Sequence, residues 1–135
     1  MILKITLSAV LGMVIGAERE LKDKPAGLRT HTLVSIGATI FTILSVNSSL
    51  MGGASFDPSR IAAQVVVGIG FLGAGMIFLK EGEARGLTTA AGIWVTAAIG
   101  MAVGFSAYVV AIYTTALVFL ILRMFGRIES KLRQQ

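Results

Sequence analysis

The sequence contains no cysteine and little charge. The absence of cysteine excludes disulfides, thiolate metal sites and cysteine nucleophiles. Only 14% of the 135 residues are charged, whereas a soluble domain usually has about a quarter. Hydrophobic residues make up 55% of the chain, and the mean hydropathy is +0.83. This composition indicates a protein surrounded by lipid rather than by water.

The few charges are segregated along the chain. No Asp, Glu, Lys or Arg occurs within 5–17, 30–56, 61–79 or 86–122. A membrane-spanning helix needs about 20 residues, so the last stretch must fold back, and Gly104-Phe105-Ser106 is the predicted turn. We therefore predict an all-α, polytopic membrane helix bundle with about five transmembrane helices. The transmembrane domain covers 1–122, with helices at about 2–17, 30–50, 58–79, 87–103 and 107–122, and a basic amphipathic cytoplasmic tail covers 123–135.

The predicted connections have different compositions. A turn-rich link at 51–55 joins the second and third helices, and a charged loop at 80–86 joins the third and fourth. Asp57 and Pro58 stand where an N-cap and a first helical residue are expected, and they predict the start of the third helix.

The distribution of basic residues predicts the orientation. Five spans place the chain termini on opposite sides of the membrane. One side then receives only Lys4 and Arg60, and the other side receives Arg19, Lys22, Lys24, Arg29, Lys80, Arg85, Arg123, Arg127, Lys131 and Arg133. By the positive-inside rule, the N-terminus is outside and the C-terminus is cytoplasmic. The positive charge therefore reflects topology and anionic lipid, and we expect no nucleic acid partner.

Small residues recur at intervals that bring them onto one helix face. Such ridges let helix backbones approach closely, either within the bundle or with another protomer or protein. On the second of these alternatives, we expect a homodimer through the first and fourth helices. The predicted helix-packing positions are Gly12, Gly16, Gly70, Ala74, Gly92, Gly100 and Gly104.

Gly68, Gly70 and Gly73 also match the spacing of a dinucleotide-binding loop. That loop requires a strand, a turn and a helix in water, with an acidic residue about 20 positions later. Here the glycines lie in the middle of a predicted span, and Ala90 and Ala91 occupy the place of the acid. The match is therefore interpreted as helix packing.

The second predicted helix carries a stripe of polar side chains without charge: Thr32, Ser35, Thr39 and Thr42, with Ser45 and Asn47 beyond. Hydroxyl groups in a span bond to their own helix or to a neighbouring helix, or they line a hydrated path.

The ionisable residues are predicted to lie at the rims of the bundle. We expect an inner polar group at one rim, in which Glu18 pairs with Arg29, and an outer group at the other. His31 is expected at the membrane surface, with pH sensing as an alternative. Asp57 is the candidate metal ligand, although we assign no metal site, cofactor or catalytic residue and do not expect an enzyme. The functional polar rim consists of Glu18, Arg19, Arg29, His31, Asp57, Arg60 and Gln64.

Four strings of residues follow one another along the chain. They are Gly16-Ala17-Glu18-Arg19-Glu20, Lys24-Pro25-Ala26-Gly27-Leu28-Arg29-Thr30-His31, Arg60-Ile61-Ala62-Ala63-Gln64-Val65-Val66 with Gly70-Phe71-Leu72-Gly73-Ala74-Gly75, and Gly86-Leu87-Thr88-Thr89-Ala90-Ala91 with Trp94. Together they resemble the MgtC/SapB family of bacterial membrane proteins. The resemblance covers roughly residues 10–105, and four strings in order are more specific than any single glycine pattern.

The resemblance implies a five-helix protein of the bacterial inner membrane, associated with growth at low magnesium and with survival inside host cells, hence with virulence. It also implies a modulator of other membrane proteins, such as ATP synthase or cation pumps. Longer family members continue into a soluble ACT-like domain, whereas this sequence ends at Gln135 after a short basic tail. Two hypotheses follow: modulation of transport or energy-coupling complexes by helix-helix association, or a small homo-oligomeric transporter or channel for magnesium or another cation.

Overall fold

The computed structural model describes residues 1–51, 57 and 59–132, with side chains for 1–48, 57 and 59–126. It is an all-α bundle, as predicted, with one short hairpin. The elements in order are α1 (Ile2–Glu20), α2 (Leu28–Met51), α3 (Ser59–Gly75), β1 (Phe78–Lys80), β2 (Glu83–Arg85), α4 (Leu87–Gly104) and α5 (Tyr108–Leu132). The predicted link at 51–55 lies outside the described residues beyond Met51, as does Pro58.

Helix α4 lies at the centre of the bundle and contacts each of the other four helices. Its isoleucines face two ways. Ile99 packs with Leu11 and Ile15 of α1, whereas Ile93 packs with Val34 and Ala38 of α2. Burial of these apolar side chains on both sides fixes α4 between α1 and α2.

The glycines of α1 and α4 allow α2 to approach closely, as the intrachain alternative predicts. A Cβ atom at Gly12 would lie 2.8 Å from the His31 carbonyl oxygen, and one at Gly16 would lie 2.7 Å from Leu28 Cα. On α4, a Cβ at Gly100 would overlap the Ser35 carbonyl oxygen. These ridges are therefore occupied by the chain's own second helix. The homodimer stays a prediction, and Gly12, Gly16 and Gly100 pack against the chain's own second helix.

Helix α3 behaves differently. A Cβ built at Gly73 would lie 3.7 Å from the Ala90 Cβ of α4, which is ordinary van der Waals contact. No atom lies within 4 Å of a Cβ built at Gly68 or Gly70. Ala74 is also exposed. The predicted packing positions Gly70 and Ala74 therefore make no close helix contact within the described part of the chain.

The third helix ends earlier than predicted. It stops at Gly75 rather than Leu79, and the charged loop contains an antiparallel hairpin that pairs Phe78 with Arg85. The two central turn residues, Glu81 and Gly82, both have positive φ, of 57° and 81°. Positive φ at both positions is typical of a type I′ turn, which suits the twist of a two-residue hairpin.

The turn between α4 and α5 lies where the sequence predicts it. Helix α4 ends at Gly104, Ser106 has a φ of 66°, and α5 begins at Tyr108. Helix α5 then runs without a break to Leu132, so the basic tail from 123 continues this helix rather than forming a separate element.

Within the described residues, three helices are long and apolar enough to cross a membrane: Leu28–Ser48, Leu87–Gly104 and Tyr108–Gly126. Helix α3 is apolar but has only 17 residues. Helix α1 is not among the three, and it carries Lys4 near its start and three consecutive charged residues at its end.

Candidate functional site

The end of α1 buries two charged side chains. Glu18 and Arg19 are each 5% exposed, because Gly16 brings the end of α1 against the start of α2. Within the described residues, their one ion pair is a long contact of 3.5 Å between Arg19 Nη1 and Glu18 Oε2. In the same part of the chain, Glu18 Oε1 and Arg19 Nε have no hydrogen-bond partner. Buried charged groups of this kind are costly unless they are paired, so their presence favours a functional role.

His31 is completely buried in the first turn of α2. Its Nδ1 lies 2.8 Å from Thr96 Oγ1, and that hydroxyl donates to the Gly92 carbonyl oxygen at 2.8 Å. Whether His31 Nδ1 donates to this hydroxyl or accepts from it depends on the tautomer of the ring. Within the described residues, Nε2 has no hydrogen-bond partner of good geometry. Gly92 permits this arrangement, because a Cβ there would lie 3.4 Å from His31 Cε1.

We call Glu18, Arg19 and His31 the buried cluster. The three side chains come from the last turn of α1 and the first turn of α2, and Arg19 lies close enough to act electrostatically on the His31 ring.

The hydroxyl stripe of α2 continues from His31 along the face that packs on α4. Ser35, Thr39, Thr42 and Ser45 are fully buried. Thr39 Oγ1 lies 2.9 Å from the Ser35 carbonyl oxygen of its own helix and 2.7 Å from the Gly100 carbonyl oxygen of α4. Thr42 and Thr32 donate to carbonyl oxygens of their own helix. These bonds agree with the packing interpretation of the stripe.

A solvent-accessible cavity of about 640 Å³ lies next to Glu18 and Arg19. It is bounded by the connection between α1 and α2, the β2 strand, the first turn of α4 and residues 121–126 of α5. We call this end of the bundle the basic end. The basic side chains that line the cavity are Arg19, Lys22, Lys24 and Arg85, and the acidic ones are Glu18, Asp23 and Glu83.

Several predicted site residues lie elsewhere than expected. Arg29 is exposed and forms no ion pair with Glu18, whose partner is Arg19. His31 is buried inside the bundle rather than placed at the membrane surface. Both differences have one cause: the close contact at Gly16 covers the inner face of the first turn of α2, which holds His31, and leaves Arg29 on the outer face.

The outer group is exposed at the opposite end. Asp57 accepts hydrogen bonds from the Ser59 N–H at 2.8 Å and from the Ser59 hydroxyl at 2.7 Å, the first being the bond expected of an N-cap aspartate. These bonds lower the pKa of the Asp57 carboxyl, the hydroxyl having the larger effect. Arg60 and Gln64 are exposed on α3. No group of three His, Asp or Glu side chains within the described residues could hold a metal ion at Asp57 or elsewhere.

Two hydrogen bonds that the sequence analysis did not predict stabilise helix ends. Lys4 Nζ donates to the Gly104 carbonyl oxygen at 2.8 Å and so satisfies the end of α4. Glu20 Oε2 accepts from the Leu28 N–H at 3.0 Å and so caps the start of α2, and Gly27 leaves the space for that carboxylate.

Thr96 is a further polar partner that the sequence analysis did not predict. The spacing did carry a signal: His31, Ser35, Thr39 and Thr42 follow one another at four, four and three residues, so the histidine belongs to the stripe.

The bundle, its three apolar helices of spanning length and its internal polar contacts define an α-helical membrane protein. The chain belongs to the MgtC family, which it matches over residues 5–131.

Three relatives illustrate the similarity. YhiD of Escherichia coli (strain K12), named as a candidate magnesium transporter, is 44% identical over 97% of this chain and 63% of its own length. The protein MgtC of Brucella abortus (strain 2308) is 52% identical over 70% of this chain and 38% of its own length. The protein SapB of Bacillus subtilis (strain 168) is 41% identical over 79% of this chain and 48% of its own length. The chain thus spans less than two thirds of these relatives, and no solved structure matches it.

Proposed function

We propose that the chain is a multi-pass protein of the bacterial inner membrane, linked to magnesium limitation, that modulates transport or energy-coupling proteins by helix-helix association. The uncovered small-residue face of α3 is the observation that carries this proposal. Gly70 has open space where a side chain would begin, and Ala74, one turn later on the same face, is exposed, whereas the ridges of α1 and α4 are filled. A ridge without a partner in the described part of the chain suits close packing by a helix from another protein. The magnesium link comes from the name of the Escherichia coli relative.

The surroundings of α3 support the same surface. An apolar groove of about 150 Å³ lies between α3 and α4, lined by Val66, Ile69, Trp94, Ala97, Ala98 and Met101. Phe71 is 81% exposed, and Trp94 is half exposed. A partner helix on α3 would cover these side chains together with Gly70.

Site-specific photo-crosslinking in native membranes tests this surface. The crosslinking residue replaces Phe71 on α3 or Val109 on α5, which is 82% exposed and serves as the matched control. We expect products with a transport or energy-coupling protein, for example ATP synthase, from position 71 but not from position 109. Adding Gly70→Leu should abolish those products, whereas Gly37→Leu, at another open glycine, should not. Gly70→Leu should also impair growth at limiting magnesium, whereas Gly37→Leu should not.

Other crosslinking outcomes identify the alternatives. Products with a second copy of the chain alone would make α3 a homodimer surface and would contradict modulation of another protein. Equal products from both positions would contradict a specific surface on α3.

A cation transporter or channel is the second candidate, favoured by the charged groups of the buried cluster and their partnerless atoms. Pathways for ions commonly retain ionisable residues within the spans. Between the buried cluster and the Lys4–Gly104 contact, however, α1, α2 and α4 carry no ionisable residue. We therefore expect reconstituted protein to pass neither magnesium nor protons. Ion flux that disappears in Glu18→Gln would favour the transporter. The proposal includes no catalytic step.

A further inference from the structure

The cavity at the basic end is lined by one buried acidic and one buried basic side chain. Glu18 and Arg19 line it, and each is more than nine-tenths buried. Glu18 Oε1 requires a donor and Arg19 Nε requires an acceptor, and neither has one. A bare cation would meet the guanidinium and a simple anion would meet the carboxylate. A ligand that carries an acceptor of negative charge beside a hydrogen-bond donor satisfies both atoms.

The first turn of α4 supplies further donors to the same cavity. Leu87, Thr88 and Thr89 line it, and the backbone N–H groups of a first helical turn have no partner within the helix. The turn contains no acidic residue and no side-chain cap, and its N-cap is Gly86. With the helix dipole, such a terminus favours a phosphate group. Lys22 and Lys24 add positive charge at the cavity wall, which also holds Asp23 and an exposed pair of Arg85 with Glu83.

The remaining wall is apolar. Phe78, Leu87, Ile121, Leu122 and Phe125 line it. The cavity also lies where the three helices of spanning length begin or end, at Leu28, Leu87 and Gly126. That is the level at which lipid headgroups meet the hydrocarbon. A polar floor beside an apolar wall suits a headgroup with its glycerol and the start of its acyl chains.

From this geometry we propose that the cavity binds a zwitterionic phosphoethanolamine headgroup. Its phosphate accepts from Arg19 and the first turn of α4, and its ammonium donates to Glu18. Phosphatidylethanolamine is the source that the apolar wall favours, and soluble glycerophosphoethanolamine has the same polar chemistry. This inference is independent of the association surface on α3.

Native mass spectrometry of the full chain tests the proposal, with the purified protein offered phosphatidylethanolamine or phosphatidylcholine. The choline group has no N–H to donate, so it is the matched lipid control. We expect phosphatidylethanolamine to be retained at least about tenfold better, as for one hydrogen bond to a charged group. Arg19→Gln should lose both lipids. Glu18→Gln should keep phosphate binding but lose the preference between them.

Thr88→Asp separates binding from folding. Thr88 is exposed in the first turn of α4, where an acidic residue stabilises a helix but repels phosphate. This variant should fold and should lose the lipid. Arg123→Gln is the control, because Arg123 lies at the same end, contacts Phe119 and does not line the cavity.

Retention of phosphatidylethanolamine that is lost in Thr88→Asp and kept in Arg123→Gln supports the proposal. Displacement by glycerophosphoethanolamine at equal concentration supports the same chemistry with the soluble compound as its source. Equal retention of both lipids by the unchanged chain, or undiminished retention by Thr88→Asp, would overturn it.

Discussion

His31 and Thr96 are 65 residues apart in the sequence and form a buried hydrogen bond of 2.8 Å between the first turn of α2 and the middle of α4. The bond joins the second helix to the central helix, and no other side chain among the described residues bonds to the histidine ring nitrogens.

Thr96→Val should lower the free energy of unfolding by about 1–3 kcal/mol, because it leaves His31 Nδ1 buried without its hydrogen-bond partner. Denaturant titration in mild detergent measures the change. Thr115→Val is the matched control, since Thr115 is also buried but bonds only to Ala111 of its own helix. Equal losses in both variants would show that the His31 bond makes no particular contribution.

Gly100→Ala should destabilise the bundle by about 1–3 kcal/mol, because the new methyl group forces α4 away from Ser35 of α2. Gly37→Ala on α2 should instead gain about 0.5–1 kcal/mol, since its Cβ enters open space and alanine favours the helix. Thermal unfolding of the two variants should therefore move in opposite directions. A stabilised Gly100→Ala would contradict the close contact between α2 and α4.

Asp57 should make the stability of α3 sensitive to acid. The pKa of its carboxyl is lowered in the folded chain by the Ser59 bonds. Its contribution to the free energy of unfolding is therefore fully present above the unfolded pKa of about 3.9, and it is lost as the pH falls through the lower pKa of the folded chain. Asp57→Ala should lower stability at neutral pH, whereas Asp57→Asn should keep the cap and lose the acid dependence. Unfolding measured between neutral and acidic pH distinguishes these results. An unchanged acid profile in Asp57→Asn would assign the dependence to another group.

The distribution of basic residues predicts the orientation in the membrane. The α1–α2 connection, β2 and residues 121–126 of α5 meet at the basic end, where Arg19, Lys22, Lys24 and Arg85 line the cavity. By the positive-inside rule, a reporter fused after Gln135 should be cytoplasmic and one inserted at Gly53 should be external. Reversal of both reporters would contradict the orientation, and reporters on the same side would contradict the five-span arrangement.

The helical bundle, the turn after Gly104 and the close contacts at Gly12, Gly16 and Gly100 could be predicted, because charge segregation and four-residue spacing are local properties of the sequence. The burial of Glu18, Arg19 and His31 could not, since it depends on how the end of α1 meets the start of α2. The same spacing at Gly70 predicted packing without specifying a partner. The hairpin was missed because its two three-residue strands produce no periodicity.

The hydrogen bond between Glu20 and Leu28 joins α1 to α2, which follow one another in the sequence. The hydrogen-bond partner of His31, in contrast, comes from α4. The ribosome therefore delivers the first two helices long before Thr96 emerges. During that interval the Thr39 hydroxyl can bond to the Ser35 carbonyl oxygen of its own helix, whereas His31 Nδ1 still lacks the Thr96 hydroxyl. The His31 contact is therefore completed only after α4 has been inserted beside α2.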